Sequence, residues 1–277
     1  MPKFLIVNSD DFGISPGVNR GILEAHHNGI VTSTTTMVNM PAAAEGIEKA
    51  HQSAPKLGLG LHFNLSFGAP VSAPEEVPSL VTEDGTFVSD YPQLMEKMAH
   101  FDPAEVEREL NAQFLRFIRL AGTPPDHIDS HHGITYFHPA GLNTMLELAK
   151  EYHLPIRRLA RPEPIDGSEQ PASAEHTLTN ELTAIIEKYG QPRQPDRLLD
   201  LIFDFETGDR LEPLKAGLKN LPEGYSELLV HVGYAEGLTE AYTTQREEEL
   251  TAITDPSLKA IIESEGIELI TFAELPL

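Results

Sequence analysis

The sequence contains no cysteine and no tryptophan. The first absence excludes disulfides and thiolate metal ligands. The second leaves any sugar-stacking surface to phenylalanine and tyrosine. Basic residues are scarce: 20 Lys and Arg stand against 43 Asp and Glu, a formal net charge of −23. A chain of that sign is repelled at long range by nucleic acid and by anionic lipid, so neither is expected as a partner. The surplus acid is expected on solvated helix faces, as at Glu247, Glu248 and Glu249. Long apolar runs are missing too. The run at 4–7 is shorter than the about 7–15 residues of a signal-peptide core. No stretch approaches the roughly 20 apolar residues of a membrane span. A cytoplasmic protein is therefore expected.

What is present is a globular composition, 40% hydrophobic and 23% charged, close to the average. The 277 residues suffice for one large core, and a single domain over 1–277 is expected, with no linker-like stretch or short repeat. Apolar and β-branched runs predict strands at 4–7, 32–40, 57–65, 126–130, 155–159, 198–203, 227–232 and 267–271, with helical patterns between them. Ser15-Pro16 reads as a helix cap and first turn, closed by Gly29. Asp102-Pro103 opens another helix, with Val106, Leu110, Phe114, Phe117 and Leu120 as its buried stripe and Gly122 as its end. Residues 66–100, proline-containing and weakly periodic, predict an irregular insertion with a turn at Glu83-Asp84-Gly85. The alternation argues for an α/β fold of parallel strands with helical crossovers. About eight units in this length fit a TIM-barrel-like (β/α) barrel of seven or eight parallel strands; a doubly wound open sheet is the alternative.

The polar residues collect at one end of these strands. Asp10 and Asp11 follow the first, Asn39 the second, and His62 lies near the end of the third. His131 and His132 follow the fourth, and Arg157, Arg158 and Arg161 lie at and after the fifth. Asp204 follows the sixth and His231 ends the seventh. In a parallel barrel those ends converge on the face that carries active sites. Adjacent side chains on an extended chain point to opposite sides, but at a strand end Asp10 and Asp11 can serve one pocket, one binding a metal and the other taking a proton. Read alone, the dipeptide is equally a polar turn before a helix, and His62 alone is a hydrogen-bonded core residue. One carboxylate with two imidazoles makes a three-ligand cation site with positions open to water and substrate. His127, His131 and His132 all remain candidates for the second imidazole, with Asp129 as an acceptor that orients one of them. His231, just before Val232-Gly233, suits a general acid with a pKa near neutrality, or simply a capped strand end. The arginines at 157–161 either bind substrate or pair with surface acids.

Together these residues carry a resemblance. Asn8-Ser-Asp-Asp-Phe-Gly13, followed by Gly17-Val-Asn-Arg-Gly-Ile-Leu-Glu24, resembles the opening block of the YdjC-like carbohydrate deacetylases, which include chitooligosaccharide deacetylases. Gly60-Leu-His-Phe-Asn-Leu65, His127-Ile-Asp-Ser-His131 and His231-Val-Gly-Tyr234 resemble three further blocks in order. The resemblance implies a distorted (β/α) barrel related to the NodB-type polysaccharide deacetylases. It implies a divalent cation, Mg2+ first and Zn2+ as the alternative, on Asp11, His62 and His131, with Asp10 as the base. A homodimer acting on an N-acetylated sugar is implied as well. In that frame His231 is the expected acid, and Asn64, Arg157 and Arg161 are the expected substrate contacts. The sequence departs from the family pattern at Gly133 and Thr135, where further histidines are usual, and at Val232, where proline is usual. The departures bear on which sugar is taken. The competing classes are a hydrolase of another amide or ester, a metallo-phosphoesterase, and a non-catalytic sugar-binding barrel.

Overall fold

Leu5, Ile6 and Val7 are fully buried, as a strand covered on both faces of a parallel sheet must be. They sit in the central strand of the computed structural model, which describes residues 2–159 and 179–277. Seven strands form one sheet: β1 (Lys3–Phe12), β2 (Ser33–Thr36), β3 (Gly58–Phe63), β4 (Ile128–Ser130), β5 (Arg197–Leu199), β6 (Gly224–Val230) and β7 (Ile267–Leu269). Every strand pairing is parallel. The order is β4-β3-β2-β1-β6-β5, with β7 also on β1. β1 is shared along its length: Lys3–Leu5 pair with β7, and Asn8–Phe12 pair with β2, while β6 runs beside Lys3 to Ser9.

The expected α/β arrangement of parallel strands is thus present, as a seven-stranded half-barrel. The segment expected at 155–159 contributes only a one-residue bridge, Ile156 to Ile128. Among the described residues the curved sheet therefore stays open between β4 and β5. β1 runs further than its apolar core, carrying Asp10 and Asp11 within the strand rather than after it.

Helices cover the outside as crossovers. Pro16–Asn28 starts on the Ser15 hydroxyl, which accepts from Val18 N at 3.1 Å. Pro103–Ala121 starts on Asp102 and ends at Gly122 with φ 77°, the left-handed conformation glycine adopts cheaply. Of its predicted stripe, Val106, Leu110, Phe114 and Phe117 are buried and Leu120 is partly buried. Leu5 and Val7 pack outward against Val18 and Ile22 of the first helix. Residues two apart share a strand face, so Phe4, Ile6, Asn8 and Asp10 point the other way. Phe4 and Ile6 close the bottom of the half-barrel with Ile270 and Phe272, and Asp10 lies at the opposite, C-terminal end.

The insertion at 66–100 is packed rather than loose. It carries an antiparallel bridge from Val81 to Phe87 and a helix, Tyr91–Met98. Val77, Leu80, Phe87 and Leu94 join the same core as Phe114 and Phe117. The buried Glu109 carboxylate accepts from Val71 N and Ser72 N, both at 2.8 Å, and pins the insertion to the long helix. Burial raises the pKa of that carboxyl above its ordinary value.

Candidate metal and catalytic site

The carboxylates of Asp10 and Asp11 face one pocket because β1 breaks its own alternation. The pairing with β2 slips between Ser9 and Phe12, and Asp11 takes φ 70°. A bulge with a left-handed residue re-aims a side chain, and a non-glycine in that region costs on the order of 1–3 kcal/mol. Asp11, which an unbroken strand would send outward, turns in beside Asp10. Both are buried.

His62, on the inner face of β3, sits between them. Its Nδ1 is 2.5 Å from Asp129 Oδ1. Its Nε2 is 3.4 Å from Asp11 Oδ1 and 3.8 Å from Asp10 Oδ2. His131, in the tight turn after β4, places Nδ1 3.1 Å from the same Asp11 Oδ1. That oxygen is buried and has no hydrogen bond. Single donor atoms from Asp11, His62 and His131 all lie within 4.8 Å of one another.

Of the three candidate histidines, His131 is the one that stands beside Asp11 and His62. His127 points to the other end of the half-barrel, its ring stacked on Phe272 at 3.8 Å and its Nδ1 2.5 Å from Asp126 Oδ1. His132 stacks on His131 at 3.9 Å, and burial lowers its pKa to about 3. Asp129 stands where an imidazole-orienting carboxylate was expected, and its Oδ2 accepts from Thr35 Oγ1 at 3.0 Å.

Arg157, expected as a substrate contact or as the partner of acids, is buried among carboxylates. Its fork holds Asp10 at 2.6 and 2.8 Å, Asp129 at 3.0 Å and Glu227 at 2.7 Å. Its guanidinium is shared by three carboxylates. Asn64 was likewise expected as a substrate contact. It is fully buried and organises the loop after β3, donating to Asn39 Oδ1 and Phe67 O and accepting from Ser66 N and Phe67 N. Arg161 lies outside the described residues.

Charge follows the pairing. Burial by itself would raise the Asp10 carboxyl, but Arg157 and His62 override it and hold it well below the usual carboxylate range. Burial likewise opposes ionisation of Asp11, and Arg246 with His131 overrides it. Burial would lower His62, yet Asp129 and Asp10 hold it up at about 10. His231 lies directly after β6, with Nε2 4.0 Å from Asp10 Oδ2. Burial lowers its pKa to about 4 against the pull of Asp10 and Asp11, so the near-neutral value expected from sequence is not found and the ring is neutral at pH 7. Its buried Nδ1 has no hydrogen-bond partner.

Several site residues escaped the sequence reading. Arg246, buried in the helix Thr244–Ile253, reaches Asp11 Oδ2 and Glu240 Oε1, each at 2.6 Å. Glu249, expected on a solvated face, is fully buried; it accepts from His231 N at 2.5 Å and from the Tyr242 hydroxyl. Glu247 of the same run is exposed as expected. Glu227 carried a usable signal, a lone charge inside an apolar strand. Arg246 carried none, sitting among polar neighbours.

With this geometry in place, comparison with known proteins gives one consistent result. The family model described as YdjC-like protein matches residues 4–264. A carbohydrate deacetylase of Geobacillus stearothermophilus is 38% identical over 99% of this chain and 98% of its own. A chitooligosaccharide deacetylase of Proteus mirabilis is 36% identical over 99% of this chain and 100% of its own. A solved structure from Enterococcus faecalis V583, described by a role in cellobiose-phosphate cleavage, superposes with a TM-score of 0.83 at 33% identity, covering 100% of both chains.

Proposed function

This chain belongs to the YdjC-like family, and on that premise we propose that it is a divalent-cation-dependent hydrolase that removes the acetyl group from N-acetylated sugars. Acetate and a free amino sugar are the products. The carrying observation is the convergence of Asp11 Oδ1, His62 Nε2 and His131 Nδ1 in a buried pocket, with the Asp10 carboxylate alongside. The donor set fits a cation: the shared carboxylate oxygen is buried, faces two ring nitrogens and has no hydrogen bond of its own.

Asp11, His62 and His131 would hold the cation, which supplies Lewis-acid polarisation of the acetyl carbonyl and an acidified water. The chain's own residues do the rest. Asp129 on Nδ1 leaves His62 Nε2 directed at the pocket. Asp10, fixed by the Arg157 fork, takes the proton of the attacking water. His231, neutral and with Nε2 4.0 Å from Asp10 Oδ2, takes up the proton that Asp10 has drawn from the water and passes it to the departing amine nitrogen, whose bond to the acetyl carbon breaks. Burial around these groups excludes bulk water and strengthens each electrostatic contact. Arg161 stays a candidate contact to the sugar.

Magnesium is the cation carried over from the family resemblance; two imidazoles among three donors suit zinc as well, and metal analysis of stripped and reloaded protein separates them. A cytoplasmic homodimer, as expected from the sequence and from the family resemblance respectively, completes the reading. The test is acetate release from N-acetylglucosamine oligomers with and without chelator. Chelator-sensitive release is expected. Turnover of phosphate esters alone would assign a phosphoesterase, and sugar binding without turnover a binding protein.

A further inference from the structure

Phe203 and Phe205 lie between β5 and the helix Leu211–Lys219, 39% and 60% exposed. Large apolar side chains this exposed are few among the described residues, and two of them sit side by side here. Their rings are 5.4 Å apart at 74°. Phe203 lies 5.0 Å from the His231 ring and stacks on Tyr242 at 4.7 Å and 28°. Phe205 meets Tyr242 edge-on at 5.6 Å.

The rings are held rather than trailing. Phe203 N donates to Asp200 Oδ1 at 3.1 Å, Arg210 donates to Asp204 O at 2.9 Å, and Gln245 Nε2 donates to Phe205 O. Tyr242 beneath them is fixed through its hydroxyl on Glu249, the carboxylate that also takes the His231 N–H. The aromatic surface and His231 therefore share one support. An apolar patch kept open to water at such a place marks a binding surface.

The chemistry says which ligand it takes. In the deacetylase reading the sugar is attached through the amide nitrogen, the atom that His231 protonates. The acetyl carbonyl faces Asp11, His62 and His131, so the sugar ring extends on the side of His231, where Phe203 and Phe205 stand. A pyranose presents a C–H face that packs on an aromatic ring, and without tryptophan this role falls to phenylalanine. We propose that Phe203 and Phe205 form the sugar-binding platform of the site, stacking the apolar face of the pyranose that carries the scissile N-acetyl group. The proposal rests on the deacetylase reading for its orientation, and its test is chosen to stand apart from turnover.

The probe is the N-acetylglucosamine trimer. Its binding to cation-loaded protein is measured by calorimetry for the native chain, F203A, F205A and F205Y, and acetate release is followed in parallel. Each alanine variant is expected to weaken trimer binding roughly threefold to tenfold, the range of one aromatic stacking contact, and to raise KM more than it lowers kcat. F205Y, which keeps a ring, is expected to bind nearly as the native protein does. Cation affinity is expected to stay unchanged in all of them. Unchanged trimer binding in both alanine variants overturns the platform and would be the result if the patch instead receives a protein partner. Loss of cation binding together with sugar binding also overturns it, by showing a general structural role; F205A, at the more exposed ring, is the variant least exposed to that failure. Native protein that binds the trimer on these rings yet releases no acetate would sink the deacetylase reading while leaving the platform in place.

Discussion

Arg246 Nη2 lies 2.6 Å from Asp11 Oδ2, on the carboxylate oxygen opposite the one that faces His62 and His131. The pair divides Asp11 between two tasks: one oxygen is fixed by a buried guanidinium, and the other is left open toward the pocket. It also explains how a buried aspartate tolerates φ 70°, since the surroundings over-determine its position. Arg246→Met would strand that carboxylate. Removing one partner of a buried ion pair costs about 3–5 kcal/mol, so urea unfolding without added cation should show a loss of that size. Saturating cation should restore part of it, because binding to the folded state alone stabilises and replaces the missing positive charge. A variant as stable as the native chain, or one indifferent to cation, would contradict the assignment.

Asp10→Asn tests the division of labour between the neighbouring carboxylates. Asn keeps the shape and one acceptor for Arg157 but cannot take a proton. Turnover should fall by roughly 10²–10⁴-fold, the usual worth of general acid–base help, while cation stoichiometry by calorimetry stays at the native value because Asp11, His62 and His131 are untouched. Near-native turnover would remove Asp10 from the chemistry.

How much of this was legible in the sequence depends on whether the signal was local. The parallel strands were legible because burial on both faces forces continuous apolar runs such as Leu5-Ile-Val7. That Asp10 and Asp11 could serve one pocket was legible too, but the means was not, because it is a bulge set by the pairing of β1 with β2. Spacing alone did not choose between His131 and His127, although the resemblance named His131: Gly60 leaves room over β3 for the His127 ring, and Phe272, far along the chain, receives it. The surroundings of Arg157 and Glu249 were hidden from the sequence for a common reason. Sequence position marks a charge as near the site or on a helix, but only packing tells whether its partners are substrate, solvent or other buried side chains.

Glu249 makes the second of these cases measurable. Burial raises its carboxyl to about 7, against the stabilising pull of the Tyr242 hydroxyl and the His231 N–H; its ordinary value is 4.5. A carboxyl raised in the folded state holds its proton more tightly folded than unfolded. Its contribution to stability is therefore fully present below pH 4.5 and is lost as pH rises through about 7. One pKa unit is about 1.4 kcal/mol, so this single group should withdraw roughly 3 kcal/mol of stability between about pH 5 and pH 8. Glu249→Gln cannot ionise and should lack that slope. Unfolding free energies of the two proteins at both pH values decide it, and parallel curves would show that Glu249 is ionised throughout.

Gly60 offers a test of the packing that steers His127 away from the pocket. A Cβ there would stand 2.3 Å from Cε1 and 2.5 Å from Nδ1 of the His127 ring. The ring cannot yield easily, being stacked on Phe272 at 3.8 Å and held by Asp126. Overpacking of this kind costs typically about 1–3 kcal/mol, and Gly60→Ala should be destabilised by at least that. His127→Ala should also be destabilised, through the space it leaves against Phe272. The two changes together should cost less than their sum, because the new methyl group enters the space the ring vacates. A double-mutant cycle reads this coupling directly. Strict additivity would mean that the strand and the ring are not in the contact described, and with it the reason that His131 rather than His127 completes the pocket would fall.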